Sequence, residues 1–335
     1  MTNIAIIGVG TWGRNYVRVL SELDSANLKL IADPLDTNTK KLSDIYKVKT
    51  TKDYQDVLRD KSIQAVCICV PATLHYGIAK DCLNAQKHIL IEKPFVLDVG
   101  EGEELRELAA QKGLTIMVGH IFRFNPGVLR LKQEIEKGTF GKIRFMYGSR
   151  MGLMTPRTDC GVTTDFALHD FDTFCFLLDR YPREVTASYS AYGGAKYEDV
   201  GFCTLRFDDN VVANIAVSWL TPKKVRELWI IGEKCSASLN YLTQEIEIYY
   251  KGLIPEYNSF GEFKLLTRQE GDDVRLFVPN KEPLKEEIAH FIECVENNHT
   301  PRVTAEIGNN IVKIVAAANR SAIEKRTVPV EIQEQ

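Results

Sequence analysis

The segment Gly8-Val9-Gly10-Thr11-Trp12-Gly13 has G-x-G-x-x-G spacing and directly follows a short apolar run, Ile4 to Ile7. Glycines there allow a tight turn and close backbone approach. The helix that opens near Trp12 offers free N–H groups and a positive dipole end to a pyrophosphate. Gly8, Gly10, Thr11, Trp12 and Gly13 are therefore candidate dinucleotide contacts. Asp33 ends the second apolar run, about 20 residues further on. A carboxylate at that point accepts a hydrogen bond from a ribose 2′-hydroxyl and repels a 2′-phosphate, and no arginine follows it directly. That selects NAD over NADP. The bland alternative is a glycine turn in a sheet protein that binds no nucleotide.

A second group, Glu92-Lys93-Pro94, closes the apolar run His88 to Ile91. Ligands of open α/β sheets bind at the carboxyl ends of the strands. A lysine there is either a surface charge or a group that orients a substrate hydroxyl and steadies a developing alkoxide. The third group is Asp165-Phe-Ala-Leu-His169-Asp170-Phe-Asp172. On a helix, Asp165, His169 and Asp172 share one face. A carboxylate one turn away holds a histidine in one tautomer and makes it more basic, which suits removal of a hydroxyl proton. The competing reading is a buried histidine satisfied by a helix neighbour.

Alternating strands and helices must position these groups. Apolar runs at 4–7, 28–32, 65–70, 88–91 and 115–118 read as strands, and 65–70 is apolar throughout, as in a strand buried on both faces. Helices are expected over 12–23, 37–46, 54–58, 74–84 and 98–112, the last closed by Gly113. The pattern implies a doubly wound parallel sheet of the Rossmann type. It changes after residue 120. Helices are expected at 126–137 and 164–178, and a strand at 142–150. Several serial strands follow between 184 and 250, and two closing helices near 284–297 and 304–324. Serial strands imply an open, mostly antiparallel sheet. The fold class is thus α/β, with an NAD-binding domain over 1–121 and a substrate-binding and oligomerisation domain over 122–335.

Composition narrows the classes of function. The 335 residues are 44% hydrophobic and 26% charged, an ordinary globular balance. A net charge of −3 gives no basic excess for nucleic acid or an anionic membrane surface. No apolar run approaches the roughly 20 residues of a membrane helix. The first residues lack a signal-peptide pattern. The eight cysteines form no C-x-x-C pair, and the six histidines show no zinc spacing. The expectation is a cytoplasmic protein with reduced cysteines, no metal and a small-molecule substrate.

In this order, the G-x-G-x-x-G, E-K-P and D-x-x-x-H-x-x-D motifs resemble the glucose–fructose oxidoreductase, inositol dehydrogenase and rhizopine catabolism (Gfo/Idh/MocA) family. The likeness spans nearly the whole chain and includes Pro71-Ala-Thr-Leu-His75, Arg123-Phe-Asn-Pro126 and Pro283-Leu284 … Phe291. It implies a cis bond before Pro94 and a catalytic set of Lys93, Asp165 and His169. It adds Pro71, His75, Glu92 and Lys93 to the cofactor contacts, and it implies a homodimer or homotetramer. Gly119-His-Ile-Phe-Arg-Phe-Asn-Pro126 and the stretch Arg150 to Asp172 are similar to the UDP-N-acetylglucosamine 3-dehydrogenases of that family. The chain departs from that subgroup at Trp12 and Phe122. The resemblance implies substrate contacts at Arg123, Asn125, Arg150, Arg157 and Asp172, since a diphosphate takes guanidinium partners. The expected reaction is oxidation of the C3 hydroxyl of UDP-GlcNAc. The alternatives are an inositol- or glucose-type dehydrogenase and a non-catalytic NAD sensor.

Overall fold

The computed structural model describes residues 1–194, 196–250 and 271–332. They form two compact units. In the first, β1 (Thr2–Ile7), β2 (Ala26–Ala32), β3 (Lys49–Thr51), β4 (Ala65–Ile68), β5 (His88–Glu92) and β6 (Ile116–Gly119) make one sheet in the order β3-β2-β1-β4-β5-β6. Every pairing is parallel. The order reverses between β1 and β4, the point at which open α/β sheets take ligands. All four residues of β4 are buried, as a strand covered on both faces requires. The helices are α1 (Gly13–Glu22), α2 (Asp36–Tyr46), α3 (Gln55–Arg59), α4 (His75–Asn84) and α5 (Val99–Lys112). Asp98 caps α5 through Gly100 N at 2.8 Å, and Gly113 ends it in the left-handed conformation.

In the second unit, α6 (Pro126–Glu136) and α7 (Leu168–Leu178) accompany a sheet of nine strands. These are β7 (Ile143–Met151), β8 (Glu184–Ser190), β9 (Val200–Arg206), β10 (Val212–Ser218), β11 (Val225–Gly232), β12 (Ser236–Asn240), β13 (Glu245–Tyr249), β14 (Asp273–Leu276) and β15 (Val328–Pro329). The order is β14-β13-β12-β11-β7-β10-β9-β8-β15. Among the described pairs only β7 and β10 run parallel. Burial alternates along β9 and β10: Cys203, Leu205, Ala213 and Ile215 point into the core, while Phe202 lies exposed on the open face. The expected helix over 164–178 has two parts. A π-helical turn, Thr163–Ala167, precedes α7.

The expected two-segment division changes in one respect. The first unit comprises Met1–Phe124 together with Lys281–Lys313, and the second Asn125–Asn280 with Ile314–Gln335. The chain returns because α8 (Pro283–Asn297) has an apolar stripe, Leu284, Ile288, Phe291 and Ile292, that joins the core around β1. Val118 N then donates to Val303 O at 3.1 Å, just before α9 (Ala305–Glu324). Among the described residues no helix is long and apolar enough to cross a membrane, and no group of three or more His, Cys, Asp or Glu could hold a metal ion.

Candidate active site

The glycine-rich loop lies between the end of β1 and the start of α1. Gly8 has φ 89°, and a Cβ there would stand 2.8 Å from Cys69 O. A Cβ on Gly13 would stand 2.2 Å from Gly8 O, so this turn closes only around glycine. Gly10 instead faces open space, with no atom within 4 Å of where its Cβ would be. The α1 N-terminus has no side-chain cap and no acidic residue in its first turn. An uncapped helix end in front of an open cradle fits the pyrophosphate of a dinucleotide. Thr11 is exposed beside it.

Asp33 follows β2 and is buried. Its carboxylate accepts from Val9 N at 2.9 Å, Leu35 N at 2.9 Å and Asn38 Nδ2 at 3.1 Å. It therefore ties the glycine-rich loop to the end of β2. A carboxylate has about four lone-pair sites, so capacity remains for a further donor. The sequence did not single out Asn38, which carries no motif signal.

At the end of β5 the Lys93–Pro94 bond is cis. Glu92 accepts from Tyr16 Oη at 2.7 Å, from the Trp12 indole N–H and from Lys93 N at 3.1 Å. Trp12 is 44% exposed, so the indole reaches over the strand ends without being enclosed. His75 differs from its expected role as a cofactor contact. It is 1% exposed, with Nδ1 2.8 Å from Pro94 O and Nε2 3.0 Å from Val70 O. Both ring nitrogens are occupied by backbone carbonyls. His75 thus fixes the loop after β4 to the loop that carries Lys93. Burial pushes its pKa down against those carbonyl contacts. Pro71 is exposed and precedes the turn Ala72–Leu74 that leads into α4.

In the second unit, Asp165 sits in the π-helical turn and His169 in the first turn of α7. Arg157 grips Asp159 with two nitrogens, Nε to Oδ1 at 2.9 Å and Nη2 to Oδ2 at 2.7 Å. Its third nitrogen, Nη1, lies 3.4 Å from Asp165 Oδ1. Asp172 is fully buried within α7. Two other expected substrate contacts have internal work. Asn125 caps α6, its Oδ1 accepting from Gly127 N at 2.9 Å and Val128 N at 3.1 Å. Arg150 is 2% exposed, and its Nε donates to Asp170 Oδ2 at 2.5 Å while its guanidinium covers the Tyr241 ring at 4.6 Å. Strand register explains this, since Arg150 points inward from β7. It also faces Arg226 directly across β11. Arg226 stacks on Phe166 at 4.4 Å, and burial with the Arg150 charge pushes its pKa down. Burial pushes the Asp170 carboxyl up, against the pull of Arg150. Arg123, in the first unit, is buried as well, and its carbonyl accepts from Arg302 Nη1 at 3.0 Å.

Residues 2–120 match the model of an oxidoreductase family with an NAD-binding Rossmann fold, and residues 128–238 match the GFO/IDH/MocA C-terminal domain. Over 249 residues the chain is 28% identical to a UDP-N-acetylglucosamine 3-dehydrogenase of Acidithiobacillus ferrooxidans, covering 74% of this chain and 76% of that one. It is 26% identical to a myo-inositol 2-dehydrogenase of Thermotoga maritima, covering 98% of each. The solved structure of the Acidithiobacillus ferrooxidans enzyme superposes with a TM-score of 0.81 at 23% identity, over 96% of this chain and 97% of that one.

Proposed function

The chain belongs to the Gfo/Idh/MocA oxidoreductase family, and from that premise we propose that it oxidises the C3 hydroxyl of a UDP-N-acetylhexosamine, UDP-GlcNAc in the first place, to the 3-keto sugar nucleotide. The observation that carries the substrate is the Gly119–Pro126 segment with the 150–172 stretch, together with the 28% identity to a UDP-N-acetylglucosamine 3-dehydrogenase. Its cofactor is NAD. When bound, NAD supplies the hydride acceptor.

The chain's own residues do the rest. The uncapped start of α1 and the open face at Gly10 hold the pyrophosphate, and Asp33 takes the ribose. The Lys93 ammonium, set at the end of β5, hydrogen-bonds the hydroxyl oxygen and lowers the cost of its negative charge. His169 removes the hydroxyl proton as general base. Asp165 supports the resulting imidazolium, and Arg157, 3.4 Å from Asp165, holds that carboxylate in place. Asp33→Ala is expected to weaken NAD binding about tenfold and to narrow the preference over NADP, since it removes both the ribose acceptor and the tie to Val9. Titration calorimetry with the two dinucleotides checks this. Equal affinities before and after the substitution would remove Asp33 from the site.

One observation favours a second reading, a dehydrogenase of a free polyol or sugar. Arg150 is committed to Asp170, and Arg157 to Asp159, which leaves fewer guanidinium groups for a diphosphate. NADH absorbance with UDP-GlcNAc, inositol and glucose separates the two. A transaminase and glutamate are added to draw off any 3-keto product. Reduction of NAD only with UDP-GlcNAc supports the first reading, and reduction only with a free polyol replaces it.

A further inference from the structure

The π-helical turn Thr163–Ala167 has no side-chain cap of its own, yet the N–H groups at its start are satisfied from outside the helix. Glu198, in the connection from β8 to β9, supplies the partners. Its carbonyl accepts from Val162 N at 2.9 Å, and its Oε1 accepts from Thr163 N at 3.1 Å. The same carboxyl group lies on Gly161, where a Cβ would stand 2.0 Å from Cδ and Oε2 and 2.1 Å from Oε1. Only glycine leaves room for it. Asp199 holds Glu198 in turn. It is 0% exposed, and its carboxylate accepts from Tyr192 N at 3.0 Å and Gly193 N at 2.6 Å. Its carbonyl accepts from Trp219 N at 2.9 Å, and Trp219 meets the Phe166 ring edge-on at 6.3 Å.

We propose that Glu198 is a positioning residue for Asp165 and His169. The gripped segment 161–163 carries backbone partners that lead to both. Asp165 N donates to Gly161 O at 3.0 Å. Leu168 N, in the residue before His169, donates to Thr163 O, the five-residue step of a π turn. Thr163 is thus pinned on both sides, by Glu198 at its N–H and by Leu168 at its carbonyl. A π turn holds one more residue per bond than an α-helix, so a relapse to α-helical bonding would turn Asp165 relative to His169. Glu198 keeps the turn from relapsing by fixing where it starts. The inference rests on the roles of Asp165 and His169 in the proposed reaction and is independent of which sugar is oxidised.

The test is steady-state NADH formation by the full-length chain and its variants with UDP-GlcNAc, inositol and glucose, with amide exchange over residues 161–169 alongside. Glu198→Ala leaves the Thr163 N–H without its acceptor. It is expected to turn over about tenfold more slowly, with KM and NAD affinity within about twofold of the parent, and to exchange faster over 161–169. Glu198→Gln keeps the acceptor oxygen and should bring turnover back to within about threefold of the parent. Gly161→Ala puts a methyl group where the carboxyl group lies. It should lose turnover by a factor similar to that of Glu198→Ala, with the double variant no slower than either single one. In a His169→Ala chain, Glu198→Ala should cost less than about a further twofold, since the base it positions is gone. Parental turnover in Glu198→Ala, a glutamine variant as slow as the alanine variant, or an undiminished loss in the His169→Ala chain would each overturn the proposal. Should Glu198→Ala fail to fold, parental turnover in Gly161→Ala overturns it alone. The two readings fail in different chains. A parent that reduces NAD with none of the sugars removes the reaction and this inference with it, whereas a failed clamp shows only in the variants of an active parent.

Discussion

His169→Ala and Lys93→Ala are each expected to lose about 10²–10⁴ in turnover while binding NAD within twofold of the parent chain. The size follows from the roles. A general base at the reacting hydroxyl is worth that range, and a charged donor to the forming alkoxide is worth a comparable one. The separation from binding follows from the roles too, since the pyrophosphate is assigned to the glycine-rich loop and the ribose to Asp33, and neither Lys93 nor His169 is among them. Asp165→Asn should cost less than loss of His169, because it removes support for the imidazolium and leaves the base. Steady-state NADH formation, with NAD affinity measured separately by calorimetry, reads both quantities. Near-normal turnover in both alanine variants would sink the catalytic assignment. Weak NAD binding in the His169 variant would point to a structural histidine.

Arg150→Ala is expected to destabilise the second unit by about 3–5 kcal/mol, because it strands the Asp170 carboxylate in the core. The two side chains are 2% and 0% exposed, so solvent does not screen their pairing. Arg226, directly across from Arg150, then becomes the nearest cation to Asp170. It is anchored by Nη1 to Met151 O at 2.6 Å and Val225 O at 2.7 Å and is poorly placed to take over. A double replacement, Arg150→Met with Asp170→Leu, removes both charges and keeps apolar volume. It should recover most of the lost stability. Chemical denaturation measures this directly. The KM for the sugar nucleotide, measured in the double variant, decides the other question. An unchanged KM fits an arginine enclosed in the fold. A KM raised tenfold or more in a stable double variant would return Arg150 to the substrate.

Much of the first unit was legible because its signals are local. Apolar runs gave the strands, the glycine spacing gave the turn at Gly8, and Asp33 and Glu92-Lys93-Pro94 lie at strand ends where motif and topology agree. The open, mostly antiparallel sheet was legible for the same reason. The roles of polar side chains were less so. Asn125, His75 and Arg150 have the residue types of a binding site, yet a helix cap, a bridge between two carbonyls and a buried ion pair use the same chemistry. Only register and burial tell these from ligand contacts, and neither is local in sequence. The π-helical turn at Thr163–Ala167 also left no signal, since its residues would suit an α-helix. The return of residues 281–313 to the first unit escaped notice because it depends on two segments far apart in sequence coming together.

That distance has a consequence for how the protein is made. The first unit is not complete when residue 124 leaves the ribosome, because α8 and the strand-like segment at Val303 are still to come. At about 5–20 residues per second, the intervening stretch of roughly 160 residues takes some ten to thirty seconds to synthesise. During that time Tyr16 and the apolar surface beneath β1 await their covering helix. Nascent chains halted before residue 281 should therefore be sensitive to protease across the first unit, and chains that have released residue 313 should be protected.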